Sequence, residues 1–137
     1  MKIIYRFYIT RQYVRDHPEF LFVFGDNDER KGFGGLAKEV RGEPNSIGIR
    51  VKKYPSLYDN SFYKDSNFSE QSLKILCDIE QVKERSKNYN AIVFPSNGIG
   101  TGLADLKNKS PKTWVYLNKL LFEELGIENV WDSIKND

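Results

Sequence analysis

Lys52 and Lys53 end an Ile-rich run, Asp26 and Asn27 begin one glycine-rich loop, and Asp105 closes a second. A lysine amine that loses water pairs with phosphate as a point charge, or attacks a sugar C1 carbon once its proton is gone. A nearby carboxylate, Asp26 or Asp105, then serves as acid or base. Asn27 both donates and accepts hydrogen bonds, which suits a ribose hydroxyl. The first loop, residues 25–35 (GDNDERKGFGG), supplies Gly32, Gly34 and Gly35. The second, residues 96–105 (SNGIGTGLAD), supplies Ser96, Asn97, Gly98, Ile99, Gly100, Thr101 and Gly102. Glycine lets backbone N–H groups approach anionic oxygens closely, so two such loops, each launched from a short apolar run, suit a phosphate-bearing ligand held between them. Each feature also has a plainer reading, since glycines make tight turns and adjacent lysines are commonly solvated charge.

The remaining composition narrows the chemistry. No Gly-Lys-Ser/Thr ends either glycine run, and the alternating glycines at 98–102 depart from G-x-G-x-x-G and come too late for the rest of a dinucleotide fold. His17 is the one histidine and sits beside Pro18, which excludes a histidine metal cluster. No metal or cofactor is called for. Cys77 is the one cysteine, so no internal disulfide forms, and its place in a helical pattern favours a buried, inert thiol. A net charge of +2 from 21 basic and 19 acidic residues gives no field for binding duplex nucleic acid. Charges interrupt the N-terminal apolar run, and no segment approaches membrane-spanning length, which predicts a cytoplasmic protein without a membrane partner. The 137 residues suffice for one domain, 1–137.

Alternating elements must position these groups. Lys2 to Ile9 reads as a strand, followed by a short turn or helix over 10–16. Phe20 to Phe24 is continuously apolar, as in a strand covered on both faces. A short helix fits residues 36–41, and Ile47, Ile49 and Val51 alternate in a strand. Residues 54–67 read as a surface loop whose aromatics either stack on a base or pin the loop, pinning being the commoner role. Leu73, Leu76, Cys77, Ile79 and Val82 recur at helical spacing to about Ser86. Residues 90–95 form another buried strand. Ser110 and Pro111 open a helix whose inward stripe is Trp114, Leu117, Leu121 and Leu125 before Gly126 stops it, and 128–131 fits a last short strand. Strands alternating with helices define an α/β domain.

Taken in order, these parts resemble the macrodomain family. Residues 22–27 (FVFGDN) followed by 32–37 (GFGGLA) look like the macrodomain strand and loop that carry an Asn and then a glycine cluster. Residues 91–103 (AIVFPSNGIGTGL) look like the later strand and diphosphate-wrapping loop, and residues 49–56 (IRVKKYPS) look most like the terminal ADP-ribose glycohydrolase branch. The resemblance implies a three-layer α/β/α sandwich with a mixed central sheet and a cleft for ADP-ribose or an ADP-ribosylated macromolecule, nucleic acid included. It further implies hydrolysis in which Lys52, or Lys53, attacks the distal ribose with help from an aspartate of the second loop. The branch places that acid directly after Gly-Leu, where this chain has Ala104; Asp105 follows one residue later and needs a one-residue bulge to reach the site. Recognition without catalysis and nucleic-acid binding are the alternatives.

Overall fold

The computed structural model describes residues 1–131. Its elements run β1 (Lys2–Arg6), α1 (Arg11–Asp16), β2 (Phe20–Asn27), α2 (Ala37–Val40), β3 (Ser46–Lys52), α3 (Phe68–Ser86), β4 (Ala91–Pro95), α4 (Leu106–Lys109) and α5 (Pro111–Leu125), with single 3₁₀ turns at Asp59–Ser61 and Asp65–Asn67. The strands form one sheet in the order β1-β4-β2-β3. Successive side chains of a strand face opposite sides, and the core follows that period. Leu21 and Val23 of β2 join Ile92 and Phe94 of β4 and Ile49 and Val51 of β3 under α3 and α5. Phe22, Phe24 and Val93 face the other way, against Val14 of α1 and Ala37 and Val40 of α2. Helices therefore cover both faces of an α/β protein.

Every strand pairing is parallel, where a mixed sheet was expected. The segment at 128–131 makes no strand: Val130 N–H turns back to Glu128 O at 3.0 Å, and Trp131 is buried against Phe94. The single antiparallel contact among the described residues is an isolated bridge between Lys52 and Phe62. β1 also stops at Arg6, short of the predicted Ile9, because the chain turns outward and leaves Phe7 and Tyr8 exposed. Residues 54–67 are less superficial than predicted. Ser61, Phe62 and Tyr63 are buried, and the Tyr63 hydroxyl donates to Asp28 Oδ1 at 2.6 Å, so these aromatics pin the segment.

Two helices show what sets phase and ends. In α3 the buried positions are Gln71, Ile75, Asp78, Ile79, Val82 and Ser86, while Cys77 and Leu73 face outward. The buried thiol is thus corrected: Asp78 takes the inward place beside it, held by Arg30 at 2.7 Å and Arg50 at 3.0 Å. A paired carboxylate is stable there where an unpaired one is not. α5 runs from Pro111 to Leu125, and Gly126 at its C-cap adopts the left-handed conformation that suits a terminating glycine. Ser110 sits at its N-cap position but turns its hydroxyl to Thr113 at 2.7 Å, and Asp65 from the preceding 3₁₀ turn accepts the Lys112 N–H at 2.9 Å instead.

The outer edge of β3 is closed by side chains. Arg85 donates to Ser46 O at 2.9 Å, Arg30 to Gly48 O at 3.0 Å, and Arg50 N–H donates to Asp78 Oδ2 at 2.7 Å.

Candidate functional site

The topology opens a cleft at the carboxyl ends of the strands. β2 leads to α2 on one face of the sheet and its neighbour β4 leads to α4 and α5 on the other. Loops that part in this way leave a crevice between them. Both glycine loops line it, and it encloses about 600 Å³. They touch as well: a Cβ on Gly34 would lie 2.9 Å from Leu103 Cδ1, and one on Gly25 would lie 3.4 Å from Gly100 N. Among the described residues the N–H groups of Gly32, Phe33, Gly34 and Gly35 have no backbone partner. Neither do those of Ile99, Gly100, Thr101, Gly102 and Leu103. Unpaired amides beside a cleft suit anionic oxygens.

Lys52 lies at the β3 end of this cleft. Pairing of β2 with β3 slips after Asp26, which faces Arg50, so that Asn27 faces Lys52 and Val51 is the extra residue. Asp28 N–H secures the slip by donating to Lys52 O at 2.9 Å and Lys53 O at 3.2 Å. Lys52 is only 7% exposed, and its amine rests 4.8 Å from the Phe62 ring centroid. Lys109 Nζ rests 4.9 Å from the same ring. No carboxylate pairs with Lys52 among the described residues, and burial pushes its pKa below the ordinary lysine value. A partly desolvated, unpaired amine is suited both to an incoming anion and to nucleophilic attack.

The first loop is stapled by its own polar groups. Asp26 is buried, with Arg41 hydrogen-bonded to both its carboxylate oxygens and Arg30 at 3.4 Å. A Cβ on Gly48 would come within 2.7 Å of Asp26, so only glycine there lets the carboxylate lie over β3. Arg41 Nε also donates to Gly32 O at 2.6 Å, tying the loop to the end of α2. Asn27 Oδ1 accepts from Glu29 N–H at 3.0 Å, and its Nδ2 donates to Lys31 O at 2.7 Å. Asp26 and Asn27 thus line the cleft while shaping the loop that holds it.

Three of the predicted site residues fall outside the cleft lining. Asp105 stands at the N-cap position of α4 in a left-handed backbone conformation, φ 46°, and its Oδ1 accepts from Asn108 Nδ2 at 2.8 Å rather than from the helix backbone; Ala104 lines the cleft in its place. Asp105 is not among the residues that line the cleft. Lys53 turns out of the cleft, its N–H donating to Ser61 O at 2.8 Å, and Ser96 is buried under the second loop, its N–H donating to Arg6 O at 3.1 Å. Gly32, Gly34, Gly35, Asn97, Gly98, Ile99, Gly100, Thr101 and Gly102 all line the cleft.

The structure adds residues that pattern reading passed over. Phe7, Tyr8 and Phe33 line the mouth while 62%, 82% and 64% exposed, and Glu39 and Arg41 reach the cleft from α2 and its end. Phe33 carried a signal, since a large aromatic between two loop glycines has no strand or helix to bury it. Arg41 and Glu39 carried none, because a short helix brings them to the loop that precedes it.

Fold and site together define an α/β protein with a cleft at the carboxyl edge of a parallel sheet. The chain belongs to a family of unknown function, DUF7831, whose model matches residues 4–120, a span that includes both glycine loops. No curated protein and no solved structure matches it. No helix among the described residues is long and apolar enough to cross a membrane.

Proposed function

We propose that the protein is macrodomain-like and binds ADP-ribose, free or attached to a macromolecule, with its diphosphate between the two glycine loops. One observation carries this reading: the order of chemistries along the sheet edge. The β1 end contributes exposed rings at Phe7 and Tyr8, the central strands β4 and β2 contribute the unpaired loop amides, and β3 contributes the buried amine of Lys52. Aromatic surface, anion cradle and cation in sequence suit a base, a diphosphate and a distal sugar. Four strands at about 4.8 Å spacing give a row on the order of 15 Å long, the scale of such a ligand. Isothermal titration with ADP-ribose, ADP and ribose 5-phosphate tests the reading. ADP-ribose is expected to bind at least about tenfold more tightly than ADP, with Lys52→Met losing that margin. Equal affinity for ADP and ADP-ribose, or no saturable binding of either, would overturn it.

Hydrolysis is the second reading, favoured by the unpaired and partly desolvated Lys52 amine. The neutral amine would bond to C1 of the distal ribose as the bond from C1 to the leaving oxygen breaks, its proton passing to that oxygen. Water would then cleave the C1–N bond and restore the lysine. The reading stands second because the carboxylates at that end are committed elsewhere, Asp26 to two guanidiniums and Asp105 to Asn108. Release of ADP-ribose from a modified protein or oligonucleotide, lost in Lys52→Met, would raise it to first place.

A further inference from the structure

The two edges of the sheet differ in what covers them. In the order β1-β4-β2-β3 the outer strands are β1 and β3, and the outward groups of β3 at Ser46, Gly48 and Arg50 are taken by Arg85, Arg30 and Asp78. β1 has no such cover among the described residues. Arg6 O accepts the Ser96 N–H at 3.1 Å on the β4 side, and main-chain groups alternate sides along a strand. Lys2, Ile4 and Arg6 therefore turn theirs to β4, and Ile3 and Tyr5 turn theirs outward. The N–H and C=O groups of Ile3 and Tyr5 have no partner among the described residues. Side-chain bonds close by run elsewhere: Arg6 Nε donates to Tyr8 O, and the Tyr5 hydroxyl accepts the Glu128 N–H at 2.9 Å. Such a row of free main-chain groups is the template to which an extended chain adds.

The side chains of β1 select the occupant. Lys2, Ile4 and Arg6 share one face of the strand, and neither cation has a carboxylate partner among the described residues; the Arg6 guanidinium lies 3.8 Å from the Tyr13 ring centroid. A second copy of the chain fits this edge badly. Two-fold pairing in which Ile3 of each copy bonds Tyr5 of the other sets Lys2 against Arg6 at both ends, and like charges directly opposite one another repel. Carboxylates at those positions reverse the sign of both contacts. We propose that β1 is a docking edge for an extended acidic segment of a partner protein. The segment adds as a further strand, with a carboxylate opposite Arg6, an apolar residue opposite Ile4 and a carboxylate opposite Lys2. That spacing serves either strand direction. None of Lys2 to Arg6 lines the cleft, so the docking edge stands apart from the nucleotide reading.

The test titrates the full chain with three blocked peptides while amide resonances and hydrogen exchange are followed by NMR. The probes are Thr-Glu-Thr-Val-Thr-Glu-Thr, the same peptide with lysine in place of both glutamates, and the glutamate peptide N-methylated at its three central residues. The glutamate peptide is expected to bind saturably, to shift the Ile3 and Tyr5 amides and to slow their exchange by at least about tenfold at saturation. The lysine peptide should bind about tenfold more weakly, because both cross-strand charge pairs change sign. The methylated peptide, stripped of main-chain donors in either strand direction, should not bind. Lys2→Glu, at an exposed position, should weaken the glutamate peptide by about threefold or more without moving the thermal midpoint. Equal binding of the glutamate and lysine peptides, binding of the methylated one, or no response at Ile3 and Tyr5 overturns the proposal. Slow exchange of those two amides in the free monomer would show the edge already filled, and a dimer in sedimentation with the same protection would give it to a second copy; either result overturns the proposal as well.

Discussion

Residues 28–35 leave β2 in the grip of Arg41 and Arg30, whose guanidiniums close on Asp26, while Asn27 knots its side chain into the loop backbone. Residues 96–105 leave β4 with no ion pair of their own among the described residues. Their course is set by left-handed backbone at Gly98, Gly100 and Asp105 and by packing on Leu106 and Trp131. Left-handed backbone serves both loops, at Arg30, Gly32 and Gly35 in the first as at Gly98, Gly100 and Asp105 in the second. The first adds buried charge to it, and the second holds its row of N–H groups open by backbone conformation and packing without that charge.

The largest effect should come from removing the charge that organises the first loop. Asp26→Ala leaves Arg41 without its buried partner and is expected to cost about 3–5 kcal/mol in urea unfolding. A cost under about 1 kcal/mol would show that loop to be held by its backbone, as the second is. The second loop is tested by Gly98→Ala. That Cβ combines φ 81° with a 2.8 Å approach to the Trp131 ring, so strain and overpacking together should cost about 2–4 kcal/mol. Gly35→Ala is its control, at φ 56° with nothing within 4 Å, and should cost only about 1 kcal/mol.

Lys52→Met should raise stability at neutral pH while weakening ADP-ribose binding, because it replaces a buried, unpaired ammonium by an apolar side chain. The folded-state pKa of Lys52 lies below the ordinary value of 10.5, so the unfolded chain holds more protons between the two and wild type gains stability as pH rises through that window. The advantage of the methionine variant should therefore be greatest at neutral pH and shrink as pH approaches 10.5, which denaturation at a series of pH values measures. The smallest effect belongs to Asp105→Gly, expected to stabilise by up to about 1 kcal/mol through relief of φ 46°, with ligand binding unchanged. Loss of binding in that variant would return Asp105 to the site.

Strands were legible where a short apolar run had to be covered on both faces, as at Phe20 to Phe24 and Ala91 to Phe94. Pro111 and Gly126 marked both ends of α5 by backbone chemistry alone. The phase of α3 was not legible, because apolar spacing counts Cys77 as inward, whereas Asp78 goes inward through partners 28 and 48 residues away in sequence. In the site, the glycines could be read because their requirement is local. Lys52 was readable as a strand end, but its slip in register depends on pairing with β2. Asp105 and Glu39 depended on how α4 and α2 sit against the cleft, and neither placement has a local signature in the sequence.

The plugs along β3 also govern how copies of the protein behave when crowded. A bare edge strand offers free N–H and C=O groups to any extended neighbour, and intermolecular sheets grow from such edges. Here Arg85, Arg30 and Asp78 occupy the groups at Ser46, Gly48 and Arg50. Arg30 is the member that belongs to the first glycine loop, bent into place at φ 57° between Asp26 and Asp78. Colloidal stability and loop order thus share one side chain, and whatever frees the loop from Asp26 also uncovers Gly48 O to neighbouring chains.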